Sequence, residues 1–190
     1  YHWQAMALMI AFYLFAMASL LRLGSARKAF YIGLAVGFGV YAPPLEFFWT
    51  IFGFRAVALW LMLAFWHALF VLLARQCQVR FGWQTAVLLL PFLWTGIEYF
   101  RSEVYHFRFS WLSAGFAFAD STMYSPFRWL GVYGIGFLLM TLVSGILLAK
   151  QFRTALAAGF AIITAGLLLL LPDENTASSG PRRTLTVAGI

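Results

Sequence analysis

Charge is what this chain has least of. Six acidic residues stand against thirteen Lys and Arg in 190 residues. Charged residues of both signs reach 10%, where soluble domains carry about a quarter. Hydrophobic residues make up 63%. A soluble globule of this length could not hide so much apolar surface, because much of any small globule is surface. Lipid is therefore the expected solvent for the outer faces. The basic residues sit in short gaps between apolar runs, not clustered on a polar face as nucleic-acid binders place them. The net charge of +7 thus reads as control of membrane topology, and no nucleic acid is expected as a partner. Cysteine is nearly absent: Cys77 alone excludes an internal disulfide and a Cys-based metal site. His2, His67 and His106 are scattered without ligand spacing. There is no phosphate-binding glycine loop and no nucleophile constellation, so neither metal nor cofactor is expected.

A helix needs roughly 20 apolar residues to cross the hydrocarbon core. Six such stretches are present: Trp3 to Leu23, Phe30 to Phe54, Ala56 to Ala74, Trp83 to Phe100, Pro126 to Ala149 and Thr154 to Leu171. Pro43 and Pro44 remove backbone donors and should kink or break the second; Pro91 lies inside the fourth. The expected fold is an all-α membrane protein, a six-helix transmembrane bundle over residues 1–172. Its second helix is kinked, and an exocytoplasmic loop joins helices four and five. Alternate gaps differ in charge. One set holds Arg22, Arg27, Lys28, Arg75, Arg80, Lys150 and Arg153 and no acid. The other holds Arg55, Arg101, Arg108, Arg128, Arg182 and Arg183 and all six acids: Glu46, Glu98, Glu103, Asp120, Asp173 and Glu174. The first set is expected to be cytoplasmic, which places both ends of the chain outside. The chain opens on Tyr1 with apolar sequence and no charged leader. It is expected to be cut from a larger protein that has one earlier span. Residues 173–183 read as a polar linker. The β-branched alternation from Thr184 to Ile190 reads as the first strand of a further, truncated domain.

Ionisable groups inside a bilayer cost at least a few kcal/mol, so each is a candidate for function. Glu98 and Arg101 are three apart on one helix face and allow two readings, an ion pair that locks the bundle or a hold on a polar head group. Glu46, after the double proline, carries the same pair of readings. His67, mid-span, reads first as a hydrogen-bonded packing residue and second as a ligand or proton relay. The aromatic run Tyr105 to Trp111 reads as an interfacial belt, with an entry groove for lipid as the alternative. Gly33 and Gly37, four apart, suit close helix packing.

The run Trp94-Thr95-Gly96-Ile97-Glu98-Tyr99-Phe100-Arg101 continues with Phe109-Ser110-Trp111, Gly115, Asp120-Ser121 and Gly131-Val132-Tyr133-Gly134-Ile135-Gly136-Phe137-Leu138. From about Leu20 to Ile190 the chain resembles the membrane domain of bacterial apolipoprotein N-acyltransferases. Where that family has Phe-Pro-Trp this chain has Ser110, and where it has Asn-Trp this chain has Glu46-Phe47. The resemblance implies a larger multi-pass enzyme of the bacterial inner membrane, with seven helices, an exocytoplasmic nitrilase-like domain and a last helix. Residues 184–190 would begin the nitrilase-like domain. Such enzymes move an acyl chain from a phospholipid donor to the N-terminal diacylglyceryl-cysteine of a lipoprotein acceptor, using a Glu-Lys-Cys triad. All three triad residues would lie beyond this chain, so no catalytic residue is expected within it. Trp94, Glu98, Arg101, Phe109, Trp111 and Tyr133 are the expected lipid-binding residues, with Glu98 and Arg101 shaping a polar floor and the aromatics lining the opening. A monomer is expected. The competing reading is a transporter or channel-like bundle without chemistry, suggested by the broken second span and an embedded Glu46.

Overall fold

The computed structural model describes residues 2–110, 112–118 and 124–151. Among these residues every regular element is helical. In chain order they are α1 (His2–Ser19), α2 (Ala26–Tyr41), α3 (Phe47–Phe52), α4 (Arg55–Phe81), α5 (Trp83–Tyr99) and α6 (Tyr124–Gln151). Single turns of tighter helix follow α1, at Leu20–Arg22, and precede α6, at Ala114–Phe118. The expected sixth span, the linker and the terminal strand lie outside the described residues.

Two helices, Arg55–Phe81 and the Trp129–Ala149 part of α6, are long and apolar enough to cross a membrane. The expected second span is not one kinked helix. Its backbone stops at Tyr41, turns through Ala42 to Glu46, and resumes as the six-residue α3. Pro43 and Pro44 cannot donate to the helical ladder, so the regular helix ends at Tyr41 although Ala42 keeps helical backbone angles (φ −61°, ψ −45°). Pro91 behaves differently. Its ring is fully buried and α5 runs through it unbroken.

The bundle core lies between α1, α4, α5 and α6, where Leu14, Met17, Phe70, Val71, Leu90, Met140 and Val143 are buried together. The second helix lies against α4 through small residues. A Cβ added at Gly33 would stand 2.9 Å from the Ala68 Cα, and one at Gly37 would stand 2.9 Å from the Ala64 Cα. Glycine and alanine thus meet face to face, and the two backbones come close enough for dispersion contact that larger side chains would prevent. Phe65, Leu73, Leu88, Phe92, Leu142 and Ile146 point outward from the middle of long helices, as lipid-facing side chains do.

Helix ends sort by charge. At one end Arg75 donates to the carbonyls of Leu23 (2.8 Å) and Gly24 (2.9 Å), and the Arg22 guanidinium covers the Trp83 ring at 4.3 Å. Ser25 caps α2 there by accepting from the Lys28 N–H, and Gly82, at φ 83°, turns α4 into α5 where an L side chain would be strained. The first two basic gaps read from the sequence therefore meet at a common end, and Arg153 of the third lies outside the described residues. The opposite end holds the C-termini of α2 and α5 and the loop that leads to α6.

Candidate functional site

At this second end the C-terminal half of α5 and the turn that follows it bring Trp94, Glu98 and Arg101, spaced i, i+4, i+7, to one side. The last turn widens into a π-helix over Phe100–Val104, closed by the Tyr105 N–H donating to the Phe100 carbonyl at 2.7 Å. Widened turns of this kind recur at functional sites, because the extra residue re-aims the side chains beside it. Here the turn carries Arg101 inward.

These side chains open onto a cavity of about 530 Å³. Its wall is mostly apolar: Ile10 from α1, Val40 from α2, Phe70 from α4, Ile97 from α5, and Leu112 and Phe116 from the loop. Polar groups converge on it from five segments: Tyr13, Tyr41, His67, the α5 trio, and Ser113. Concave, mainly apolar sites with a few convergent polar groups are the usual form of small-molecule pockets. Glu98 and Arg101 are 5% and 3% exposed, so both charges sit inside the protein and must be satisfied there.

They bond to different partners. The Ala114 N–H donates to Glu98 Oε1 at 3.0 Å. Arg101 donates to the Tyr41 hydroxyl and to Ser113 Oγ (3.2 Å), and Ser113 Oγ donates to the Ser110 carbonyl (3.2 Å). The sequence offered two readings, an ion pair within one helix or a hold on a polar head group. Instead each side chain reaches out to the segment after α5, and together they staple residues 113 and 114 over the cavity. The guanidinium also lies 5.7 Å from the Tyr41 ring centre, which adds a cation–π contact.

Glycines make this arrangement possible. A Cβ at Gly115 would stand 2.1 Å from the Val132 carbonyl oxygen, so the loop seats directly on the α6 backbone. Gly131 holds φ 63° and ψ −177°, a break inside α6 that only glycine adopts without strain. At Gly136 a Cβ would stand 3.0 Å from Glu98 Oε2, so the missing side chain is what lets the carboxylate approach α6.

Of the six residues expected to bind lipid, Trp94, Glu98 and Arg101 line the cavity. Phe109 packs instead against the cluster of Tyr41, Leu45, Trp60 and Leu63, behind the Tyr41 wall. Tyr133 does not line the cavity; it donates to Glu103 Oε1 at 2.7 Å on the exposed side, with its ring 5.5 Å from that of Tyr99. The break at Gly131 sets the start of α6 apart from its middle, which the sequence could not reveal. Trp111 lies outside the described residues. Glu46 is not buried inside the bundle: it is exposed on the turn at the double proline, just before α3. Cys77 is half-buried beside the apolar core. No group of three or more His, Cys, Asp or Glu that could hold a metal occurs among the described residues.

Tyr13 and Tyr41 were not legible as site residues. Each is one aromatic among many, and only the meeting of α1, α2 and α4 brings them to His67, at ring distances of 5.8 Å and 5.1 Å.

A buried Glu and Arg beside a broken α6 can arise in unrelated bundles. The ordered motif across α5, the loop and α6 is decisive when the whole span is compared. The family model for the apolipoprotein N-acyltransferase N-terminal domain matches residues 1–146. The chain belongs to this family. The match begins at the first residue, earlier than the Leu20 at which the motifs become readable, and covers everything that builds the cavity. No curated protein matches the chain. Members of the apolipoprotein N-acyltransferase family are bacterial membrane enzymes that act on lipids and lipoproteins, and the apolar helices of this chain fit that setting.

Proposed function

We propose that this chain is the membrane half of an N-acyltransferase that moves an acyl chain from a phospholipid to the N-terminal diacylglyceryl-cysteine of a lipoprotein. Residues 1–172 would form the membrane domain, residues 173–183 a linker, and residues 184–190 the start of a nitrilase-like domain that carries the Glu-Lys-Cys triad. In such a reaction the cysteine sulfur displaces the lipid's ester oxygen and holds the acyl group as a thioester. The lipoprotein amine then attacks that thioester and releases the sulfur. The membrane half supplies position. It holds the acyl donor sideways in the bilayer and presents its ester at the level of the triad.

The observation that carries this reading is the cavity itself, apolar along its wall and stapled at its rim by buried Glu98 and Arg101. An acyl chain suits the wall formed by Ile10, Val40, Phe70 and Ile97. Trp94 belongs to that wall. Phe109 and Tyr133 act at one remove, supporting the α2 turn and the start of α6, and Trp111 keeps the lipid-binding role expected from the sequence. The end that holds the cavity would face the exocytoplasmic side of the inner membrane, since the first two basic gaps gather at the opposite end. A monomer is the state we propose.

The test introduces Glu98→Ala and Arg101→Ala separately into the full-length gene. Lipoprotein N-acylation is then measured by mass spectrometry of the lipoprotein N-terminus, at matched protein levels. Loss of acylation by tenfold or more is expected from each. Unchanged acylation in both variants would refute the assignment.

A further inference from the structure

The end opposite the cavity gathers positive charge. Arg22, Arg27, Lys28 and Arg80 are exposed there, and neither gap that supplies them contains an acid. Tertiary contacts bring the two gaps together. Arg75 reaches from α4 to the carbonyls of Leu23 and Gly24, and Arg22 reaches back to cover the Trp83 ring. Gly33 against Ala68 holds the next turns of α2 on α4. Arg75 is thus engaged by carbonyl oxygens, while the four exposed cations share one end and repel one another. The start of α2 adds to that cost. Its first turn contains Arg27 and Lys28 and no acid, although the positive pole of a helix lies at its N-terminus and disfavours cations there. Charges placed in this way call for an anion from outside the chain.

The surface beside the cations says which kind. Val79 and Phe81 are exposed on either side of Arg80, and Tyr31 and Ile32 follow Lys28 along α2 as exposed side chains. A soluble anion would leave this apolar surface in water. A phospholipid covers it, because its phosphate meets the cations while its acyl chains lie along the apolar side chains. We propose that this end binds the head group of an anionic phospholipid through Arg22, Arg27, Lys28 and Arg80. This lipid is not a substrate. It lies in the leaflet opposite the cavity, the cytoplasmic one in the orientation proposed above, and it neutralises the gathered charge and anchors the turns that lead into α2 and α5. The site needs the helices to stand in a membrane and is independent of acyl transfer.

The test titrates phosphatidylglycerol and phosphatidylcholine of identical acyl chains, separately, into the full-length protein in neutral detergent, with binding read by native mass spectrometry. The two lipids share the phosphate and the esters and differ in net charge. A basic residue near an anionic lipid surface contributes about fivefold in affinity, so the wild type should prefer phosphatidylglycerol by about tenfold or more. Arg27→Gln/Lys28→Gln should reduce that preference to about threefold or less. Arg55→Gln/Arg108→Gln removes the same charge from exposed positions at the other end and should keep the full preference. Equal binding of the two lipids by the wild type would overturn the proposal. So would a full preference in the Arg27 and Lys28 variant, or an equal loss in the Arg55 and Arg108 variant, which would make net charge alone the cause. Inorganic phosphate at the concentration of the lipid should displace none of it; displacement of most of the phosphatidylglycerol would reveal a site for free anions and defeat the assignment to lipid. Unchanged phosphatidylcholine binding reports that a variant is folded. Should the Arg27 and Lys28 variant fail to fold, Arg22→Gln/Arg80→Gln decides by the same ratio.

Discussion

Replacing Gly37 by Ala sets two effects of known sign against each other. Alanine is the better helix former by about 1 kcal/mol, so at an open position the change should stabilise. At Gly37 the added Cβ would meet the Ala64 Cα, the Ala64 carbonyl oxygen and the His67 Cβ, all at 2.9 Å. Two of these atoms belong to the backbone of α4 and cannot rotate aside. The second helix must then move off α4 by several tenths of an ångström, loosening the Gly33 contact with Ala68 as well. Overpacking of this kind costs about 1–3 kcal/mol. Gly39, two residues on, supplies the control: it is exposed and has nothing within 4 Å of its added Cβ. The gain in propensity is common to both variants, so their difference isolates the clash at about 1–3 kcal/mol. For a chain of this size that is roughly 2–4 °C in Tm for each kcal/mol. Both proteins would be melted in the same detergent and followed by circular dichroism. Gly39→Ala should match or exceed the wild type, and Gly37→Ala should melt several degrees below it. Equal melting temperatures would refute close backbone packing of α2 on α4, and with it the placement of His67 against Tyr41.

Two further outcomes are expected. Gly115→Ala would drive a Cβ to 2.1 Å from the Val132 carbonyl oxygen, so the loop cannot seat on α6; hydrogen exchange should rise at least tenfold at Ala114, whose N–H now bonds Glu98, and unchanged protection would contradict the staple. Arg75→Ala removes two bonds to the carbonyls of Leu23 and Gly24 at the opposite end. It should lower stability by about 1 kcal/mol without affecting N-acylation per folded molecule, measured as melting temperature and acylation side by side.

What could be read from the sequence was whatever depends on local chemistry. Apolar runs near the length of a bilayer announced helices, and the double proline announced an interruption, because a missing N–H acts on its own helix whatever surrounds it. Gly33 and Gly37, one turn apart, marked a packing face before its partner was known. The alternation of basic and acidic gaps indicated that the gap at Arg22 and the gap at Arg75 share an end. Glu98 and Arg101 stood out because a charge within an apolar run has few places to go.

The partners of those charges were decided only when the helices assembled. Glu98 takes its hydrogen bond from Ala114 and Arg101 gives its own to Tyr41 and Ser113. These residues are 12 to 60 positions away, on segments that no local rule joins. Tyr13, Tyr41 and His67 likewise become a cluster only through the packing of three helices. Periodicity says that a face is apolar but not which face it will meet. Glu46 shows the converse: its place in an apolar stretch suggested burial, and the broken backbone carried it to the surface. Sequence alone thus determined the all-helical class and the family. The tertiary structure alone decided the cavity, because a cavity is made of distances between segments and the chain encodes only the order in which they come.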